Sequence, residues 1–175
     1  MDYSMAIFNT LIQILTTLFQ SKKSTQKTAP KSEQKTIQKT EEETMFKFSS
    51  QSLEKLKTCH PDIQKVMTEV IKHVDCTIIE GVRTKEQQEE YVRTGKSKTM
   101  DSKHLPQPDG YSHAVDVMAC PIKWEDWKRN SYFAGFVMAT AKSMGIDLRS
   151  GIDWDSDFDI SEHSFLDAPH FELKK

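Results

Sequence analysis

Apolar side chains recur at regular helix or strand spacing from about Phe46 to the end of the chain, and turn residues separate the runs. The clearest run follows His60-Pro61 and repeats its apolar positions at the i, i+3, i+4 spacing of a helix that packs on a core. These positions are Ile63, Val66, Met67, Val70 and Ile71. The pattern therefore predicts an amphipathic helix that begins at Pro61.

The remaining runs predict three more helices and four strands. A short helix begins after a cap at Ser49 or Ser50, and Thr84 caps a later helix that Gly95 ends. The predicted helices span 50–57, 85–93 and 124–144, and the predicted strands span 76–79, 113–120, 146–148 and 170–173. Because these elements show no regular βαβ repeat, the sequence predicts an α+β fold with a small, mainly antiparallel sheet and packed helices.

The first forty-odd residues follow a different pattern. Residues 5–19 are apolar with polar interruptions, shorter than the roughly 20 residues of a membrane-spanning helix, and they lack the basic start of a secretory signal. Four hypotheses stay open for residues 1–20: a membrane-surface anchor, an atypical uncleaved signal, a partner-docking helix, or a helix packed on the domain. One helical face carries Ile7, Leu11, Ile14, Leu15 and Leu18.

Residues 21–44 consist mostly of Lys, Thr, Gln, Ser and Glu, with Ile37 as the one large apolar side chain. Such a segment buries too little surface to offset the entropy lost on ordering, so we expect a disordered, lysine-rich linker. The sequence is thus divided into an apolar helix over 1–20, this linker, and a folded domain over 45–175.

Composition excludes several classes of protein. The 175 residues include 24 Lys and Arg against 26 Asp and Glu, and the resulting net charge of -2 is unlike that of a strongly basic nucleic-acid-binding domain. We therefore expect no nucleic-acid partner. A charged fraction of 29% rules out a polytopic membrane protein. Three scattered cysteines are too few for a disulfide framework or a cysteine-rich zinc site.

Candidate chemistry lies in two short motifs that contain histidine and carboxylate. The first is Ser102-Lys103-His104 followed by Ala114-Val115-Asp116, and the second is Asp167-Ala168-Pro169-His170-Phe171-Glu172. Two imidazoles and one carboxylate are the three protein ligands of a catalytic zinc site that leaves one position open. A further carboxylate has to stand nearby as a general base, and Asp167, three residues before His170, suits that position.

The order and the flanking residues of these motifs resemble the zinc peptidases of the D-alanyl-D-alanine carboxypeptidase and dipeptidase family. Within that family the chain is most similar to the phage-type L-alanyl-D-glutamate endopeptidases, which are endolysins. A third segment, Gly81-Val82-Arg83-Thr84 with the Gln- and Glu-rich stretch after it, also fits the family pattern. The resemblance covers 50–173, and it implies a fold of the hedgehog and D-alanyl-D-alanine peptidase type.

The resemblance also implies a role for each matching residue. His104, Asp116 and His170 become ligands of Zn²⁺, Asp167 becomes the base that activates water, and Arg83 holds the substrate carbonyl. Ser102 is expected to orient the loop or the substrate. Without the resemblance, a surface ion pair with Glu80 or Glu86 is the better explanation of Arg83.

The function implied is hydrolysis of the L-alanyl-D-glutamate bond in peptidoglycan stem peptides, by an enzyme of the cell envelope or a phage-encoded enzyme that acts on the wall. Two alternatives stay open. The first is a D-alanyl-D-alanine carboxypeptidase or dipeptidase, and the second is a non-catalytic, zinc-containing module that binds the wall. Residues 5–19 are a candidate membrane contact in each case.

One feature departs from the plain family pattern. The segment 105–113 between His104 and the strand is long, and it brings His113 close to the strand as a rival ligand. Positions three apart on a strand point to opposite faces, so His113 and Asp116 should not both reach one metal.

A second candidate metal site is an acidic loop over 153–162. Its alternating carboxylates resemble the first half of a calcium loop, although Phe158 replaces the expected glycine and Ser164 stands where the last acidic ligand belongs. A weakly bound Ca²⁺ and a solvated acidic turn are both open interpretations. The candidate ligands are Asp153, Asp155, Asp157 and Asp159.

Overall fold

The computed structural model of this chain describes residues 46–174, which form four helices and four strands. The helices are α1 (Ser50–Leu56), α2 (Pro61–His73), α3 (Lys85–Arg93) and α4 (Trp127–Ser143). The strands are β1 (Cys76–Glu80), β2 (Ala114–Ala119), β3 (Leu148–Ser150) and β4 (His170–Leu173). The helix predicted over 5–19 and the linker predicted over 21–44 lie outside the described residues. Within 46–174, no helix has the length and apolar character needed to cross a membrane.

The four strands form one sheet in the order β1-β2-β4-β3, and every neighbouring pair is antiparallel. This confirms the predicted α+β fold with a small antiparallel sheet. The pairing of β2 with β4 places Asp116 directly opposite His170 and Ala114 opposite Glu172. Two residues that are 54 positions apart in sequence are thereby fixed side by side.

The core lies between the sheet and two helices that pack on each other, α2 and α4. All five apolar residues that predicted α2 are buried. On β2 the alternation of side chains sends Val115 and Val117 into this core, while Asp116 points to the opposite face. The same alternation that stabilises the fold thus presents the Asp116 carboxylate to the site.

Two predicted boundaries differ from the structure by more than one residue, each for a local reason. Helix α4 begins at Trp127 rather than 124, because the Asp126 side chain accepts a hydrogen bond from the backbone N–H of Arg129 and caps the helix there. Strand β3 begins at Leu148 rather than 146, because the N–H of Ile146 donates back to Ala141 at the end of α4. Ile146 therefore completes the helix end and does not join the sheet.

Gly151 is the residue at which β3 turns towards the second motif, and its replacement has a large expected effect. A Cβ at this position would lie 2.5 Å from the carbonyl oxygen of Asp167 and 3.0 Å from the Cβ of His170. We expect Gly151→Ala to lower the free energy of unfolding by about 1–3 kcal/mol, the usual cost of overpacking. Gly135→Ala, on α4 with open space around it, should instead raise it by about 1 kcal/mol. Urea denaturation of both variants measures the difference, and equal effects would contradict the close approach at Gly151.

Candidate metal centre and active site

Three candidate ligands converge at the sheet face that Asp116 occupies. His104 lies in the loop between α3 and β2, Asp116 lies within β2, and His170 begins β4. His104 Nε2 is 3.2 Å from Asp116 Oδ1 and 3.1 Å from His170 Nδ1, and His170 Nδ1 is 3.1 Å from Asp116 Oδ1. Ligands of a tetrahedral zinc ion at 2.0–2.1 Å would be separated by about 3.3 Å. The three donor atoms therefore have the spacing that such an ion requires.

In each imidazole, the nitrogen that faces away from the cluster contacts a hydrogen-bond acceptor. This contact fixes the ring and so orients the lone pair of the other nitrogen. His104 Nδ1 is 2.7 Å from the carbonyl oxygen of Gly81, and His170 Nε2 is 3.0 Å from Glu172 Oε2. Because a carbonyl or an ionised carboxylate only accepts, the proton of each neutral ring lies on this outer nitrogen. The inner nitrogens, His104 Nε2 and His170 Nδ1, are then free to bind a metal.

Gly81 reaches this position because the end of α1 approaches its backbone closely. A Cβ on Gly81 would lie 2.4 Å from both the carbonyl oxygen of Lys55 and the Oγ1 of Thr58. Only glycine fits there without a shift. This close approach explains why the motif around Arg83 contains a glycine at position 81, whose carbonyl group lies within reach of His104.

Glu172 is a part of the site whose role was missed by the sequence analysis. Its side chain is buried, and Arg149 holds the second carboxylate oxygen through Nε at 2.7 Å. Burial opposes ionisation of Glu172, but hydrogen bonds and charge from His170 and Arg149 lower its pKa. The available signal was strand alternation, which places Glu172 on the same face as His170.

We expect Glu172→Gln to weaken zinc binding about 10–100-fold, because the variant loses the anionic acceptor that orients His170. Titration with a chelating competitor measures the affinity. Glu54→Gln, an exposed substitution on α1, is the matched control and should leave the affinity unchanged. An unchanged affinity in Glu172→Gln would contradict the role assigned to this carboxylate.

The cluster has the electrostatic character of a cation site. Burial disfavours the Asp116 carboxylate, but the charges and hydrogen bonds of His104 and His170 hold its pKa far below the usual range. Burial also opposes charge on His170, yet hydrogen bonds to Asp116 and Glu172 raise its pKa to about 9, so a metal cation that binds Nδ1 has to displace a proton. The carboxylates thus stay ionised and attract positive charge to this point.

Asp167 lines the same cleft but does not belong to the three-residue ligand group. It is held in a tight turn, in which its N–H donates to Gly151 and its carbonyl oxygen accepts from His170. Burial raises the pKa of its carboxyl, and the negative charge of Asp116 raises it further. A carboxylate with a raised pKa beside a candidate ligand cluster has the properties of a general base.

Arg83 is buried beside the cluster and is held on three sides. Its guanidinium forms an ion pair with Glu80, donates to Gln88 Oε1 at 2.5 Å and stacks 4.4 Å from the ring centroid of Tyr91. Its NH2 atom is also 3.9 Å from Asp116 Oδ2. The ion pair with Glu80 that was the alternative explanation is present, but it is not a surface pair. It fixes Arg83 at the edge of the cleft.

The other predicted residues occupy distinct places. Ser102 Oγ accepts a hydrogen bond from the N–H of His104 at 3.2 Å, so this serine orients the loop. His113 is directed away from the cluster, since its Nε2 is 2.8 Å from Asp109 Oδ2 and its ring packs edge-on against His60. The structure therefore brings His104, and not His113, to the ligand group.

The acidic loop is only partly assembled as a group of ligands. Asp153 uses its oxygens to accept three backbone N–H groups of its own loop, and it lies near Asp155 and His163. Asp155 and Asp157 come together with Glu162 at the surface, whereas Asp159 belongs to neither group and bonds to Ser161. Glu162 was not among the predicted ligands. Four predicted carboxylates are thus divided between two groups and one separate turn.

The cluster, Asp167 and Arg83 line one cleft of about 350 Å³. Its aromatic walls are Trp154 and Phe165, whose rings stack with centroids 6.1 Å apart. A cleft of this size accommodates a short peptide segment over the candidate ligands.

Comparison with known proteins identifies similar sequences and a similar fold. The family model described as phage L-alanyl-D-glutamate peptidase matches residues 44–174. The L-alanyl-D-glutamate peptidase of Escherichia phage T5 is 30% identical over 130 residues, which are 70% of this chain and 93% of the phage protein. That of Listeria phage A118 is 36% identical over 102 residues, 57% of this chain but only 31% of the longer relative.

A solved structure has a similar fold. The L-Ala D-Glu endopeptidase ChiX of Serratia marcescens aligns with a TM-score of 0.59 at 32% sequence identity. The alignment covers 74% of this chain and 91% of that chain.

Proposed function

This chain belongs to the phage L-alanyl-D-glutamate peptidase family, and we propose that it is a zinc-dependent endopeptidase that cuts the bond between L-alanine and D-glutamate in peptidoglycan stem peptides. The family resemblance inferred from the motifs is confirmed, and a wall-degrading peptidase activity follows from it. The observation that carries the zinc proposal is the 3.1–3.2 Å spacing of His104 Nε2, Asp116 Oδ1 and His170 Nδ1. These three residues would hold the ion, with Asp167 as the base beside it.

Each residue of the site has one task in the proposed reaction. A bound zinc ion would supply Lewis acidity to the peptide carbonyl and lower the pKa of water. Asp167 removes a proton from the water whose oxygen attacks the carbonyl carbon, and it returns that proton to the departing nitrogen as the C–N bond breaks. Arg83 donates hydrogen bonds to the oxygen on which negative charge develops. The products are a free L-alanine carboxylate and a free D-glutamate amine.

Mass spectrometry of digested peptidoglycan tests the bond that is cut. We expect stem-peptide fragments that begin with D-glutamate, together with glycan that retains a terminal L-alanine. Release of free D-alanine would instead support the carboxypeptidase alternative. Wall binding without any released peptide would support the non-catalytic module. The Asp167→Asn protein is the control for background hydrolysis.

The acidic loop is the candidate position for a second, weakly bound cation, which we propose is Ca²⁺. The supporting observation is the surface group of Asp155, Asp157 and Glu162, whose oxygens are the ligand type that Ca²⁺ prefers. Millimolar CaCl₂ should then raise the melting temperature of the wild type but not of Asp157→Asn. The same shift in both proteins would reject this site.

The substrate places the activity at the bacterial cell wall. Membrane contact through residues 5–19, and an origin in the cell envelope or in a phage, stay predictions that the described residues do not address.

A further inference from the structure

One wall of the cleft is a lysine-rich loop, residues 96–103, that the proposed reaction does not use. Three of its side chains, Lys96, Lys98 and Lys103, line the cleft. The arginines of the cleft are already paired with carboxylates, Arg83 with Glu80 and Arg149 with Glu172. No ion pair joins any of the three lysines to a carboxylate of residues 46–174, although Asp101 lies on the same loop.

This lysine-rich loop is fixed to the catalytic arginine by one buried amide. Gln88 is fully buried, and its Nε2 donates to Ser97 Oγ at 2.8 Å and to the carbonyl oxygen of Thr99 at 2.6 Å. The Oε1 of the same amide accepts from Arg83 at 2.5 Å. All the hydrogen bonds of this side chain are used to hold the loop beside Arg83. The part of the loop that carries Lys96 and Lys98 is therefore fixed relative to the proposed carbonyl-binding group.

Two of the lysines also rest on aromatic rings. Lys96 Nζ is 5.3 Å from the ring centroid of Tyr91, the ring on which Arg83 stacks, and Lys98 Nζ is 5.7 Å from that of Phe165. Such contacts restrain the ammonium group without occupying its N–H donors. Lys96 and Lys98 are thus exposed cations at the edge of the cleft, each beside an aromatic ring and with its N–H donors available.

We propose that Lys96 and Lys98 form a carboxylate-binding subsite, which selects stem peptides whose D-glutamate keeps its second carboxyl group ionised. This inference rests on the proposed function. A glutamate residue has two carboxyl groups, and only one of them continues the peptide chain. The other is an anion a few bonds from the nitrogen of the bond that is cut, and amidation turns it into a neutral group. An ammonium group gains a charge-assisted hydrogen bond from the anion and nothing comparable from the amide.

The test compares two synthetic stem peptides that differ only in this group, carboxylate or carboxamide. Wild-type enzyme should cleave the carboxylate peptide with a kcat/KM about tenfold higher than that of the amide, the range of a charged hydrogen bond. The double variant Lys96→Gln, Lys98→Gln should lose this preference through a higher KM for the carboxylate peptide, with kcat unchanged. The double variant Lys65→Gln, Lys72→Gln on α2 changes net charge equally and should retain it.

A carboxylate preference that persists in the Lys96/Lys98 double variant, or falls equally in both double variants, would overturn the subsite. Calorimetric binding of the two peptides to Asp167→Asn protein, with and without the Lys96 and Lys98 substitutions, separates this outcome from failure of the proposed function. If the wild type cuts neither peptide, the proposed reaction is wrong. In that case equal binding of both peptides rejects the subsite, and binding of the carboxylate peptide that needs the two lysines supports it.

Discussion

His170→Ala is expected to lose both bound zinc and peptidase activity. The substitution removes Nδ1, one of three donor atoms that lie 3.1–3.2 Å apart, and it leaves Glu172 with Arg149 as its remaining partner. A four-ligand zinc site contributes about 10–16 kcal/mol, so one ligand accounts for about 2.5–4 kcal/mol, or roughly 100–1,000-fold in affinity. Metal content after dialysis and the rate of peptide release measure the two losses.

The control for this experiment is His73→Ala, an exposed histidine on α2 that should keep metal and activity. Because His170 is buried, the melting temperature is recorded as well, and His170→Gln serves as a second variant of similar volume. A stoichiometric zinc ion in folded His170→Gln or His170→Ala protein, with activity near that of the wild type, would show that His170 is not a ligand.

Asp167→Asn should instead retain zinc and lose only the activity. The amide keeps the shape of the side chain but cannot accept a proton, and general acid–base catalysis typically contributes about 100–10,000-fold. We therefore expect kcat to fall by that factor while the metal content stays at the wild-type level. Asp147→Asn makes the same substitution at an exposed aspartate and is the matched control.

The two variants together separate a ligand from a base. If Asp167→Asn also lost its zinc, Asp167 would be a ligand and the position of the base would be open. If the Asp167→Asn protein retained the full kcat of the wild type, proton transfer through the Asp167 carboxylate would not limit the reaction. Both experiments use the same purified protein and the same two measurements, so their results are directly comparable.

The local elements of the fold were predictable because their signals lie within a few residues of each other. The run from Ile63 to Ile71 shows helix spacing, and Thr84 caps α3 as expected. The predicted boundaries at 124 and 146 were wrong, because the N–H of Arg129 donates to the cap Asp126 and the N–H of Ile146 donates to Ala141 at the helix end. Those choices depend on which hydrogen bonds form, and apolar spacing does not determine them.

The residues that converge in the site were named from the motifs, but their supports were not. The antiparallel register that sets Asp116 against His170 is a long-range property of the sheet. Gln88 joins Arg83 to the lysine-rich loop, and no periodicity predicts which glutamine of a polar helix is buried. Strand alternation could have predicted the position of Glu172 from the sequence, whereas no sequence signal predicted the role of Gln88.

Anomalous diffraction at the zinc edge, from crystals grown with one equivalent of zinc per chain, tests the central claim most directly. The expected result is a single strong peak within about 2.0–2.2 Å of His104 Nε2, Asp116 Oδ1 and His170 Nδ1, with the Asp167 carboxylate beside it and outside bonding distance. A peak at His60, Asp109 and His113 or at the acidic loop instead, or no peak in protein that hydrolyses peptidoglycan, would contradict it.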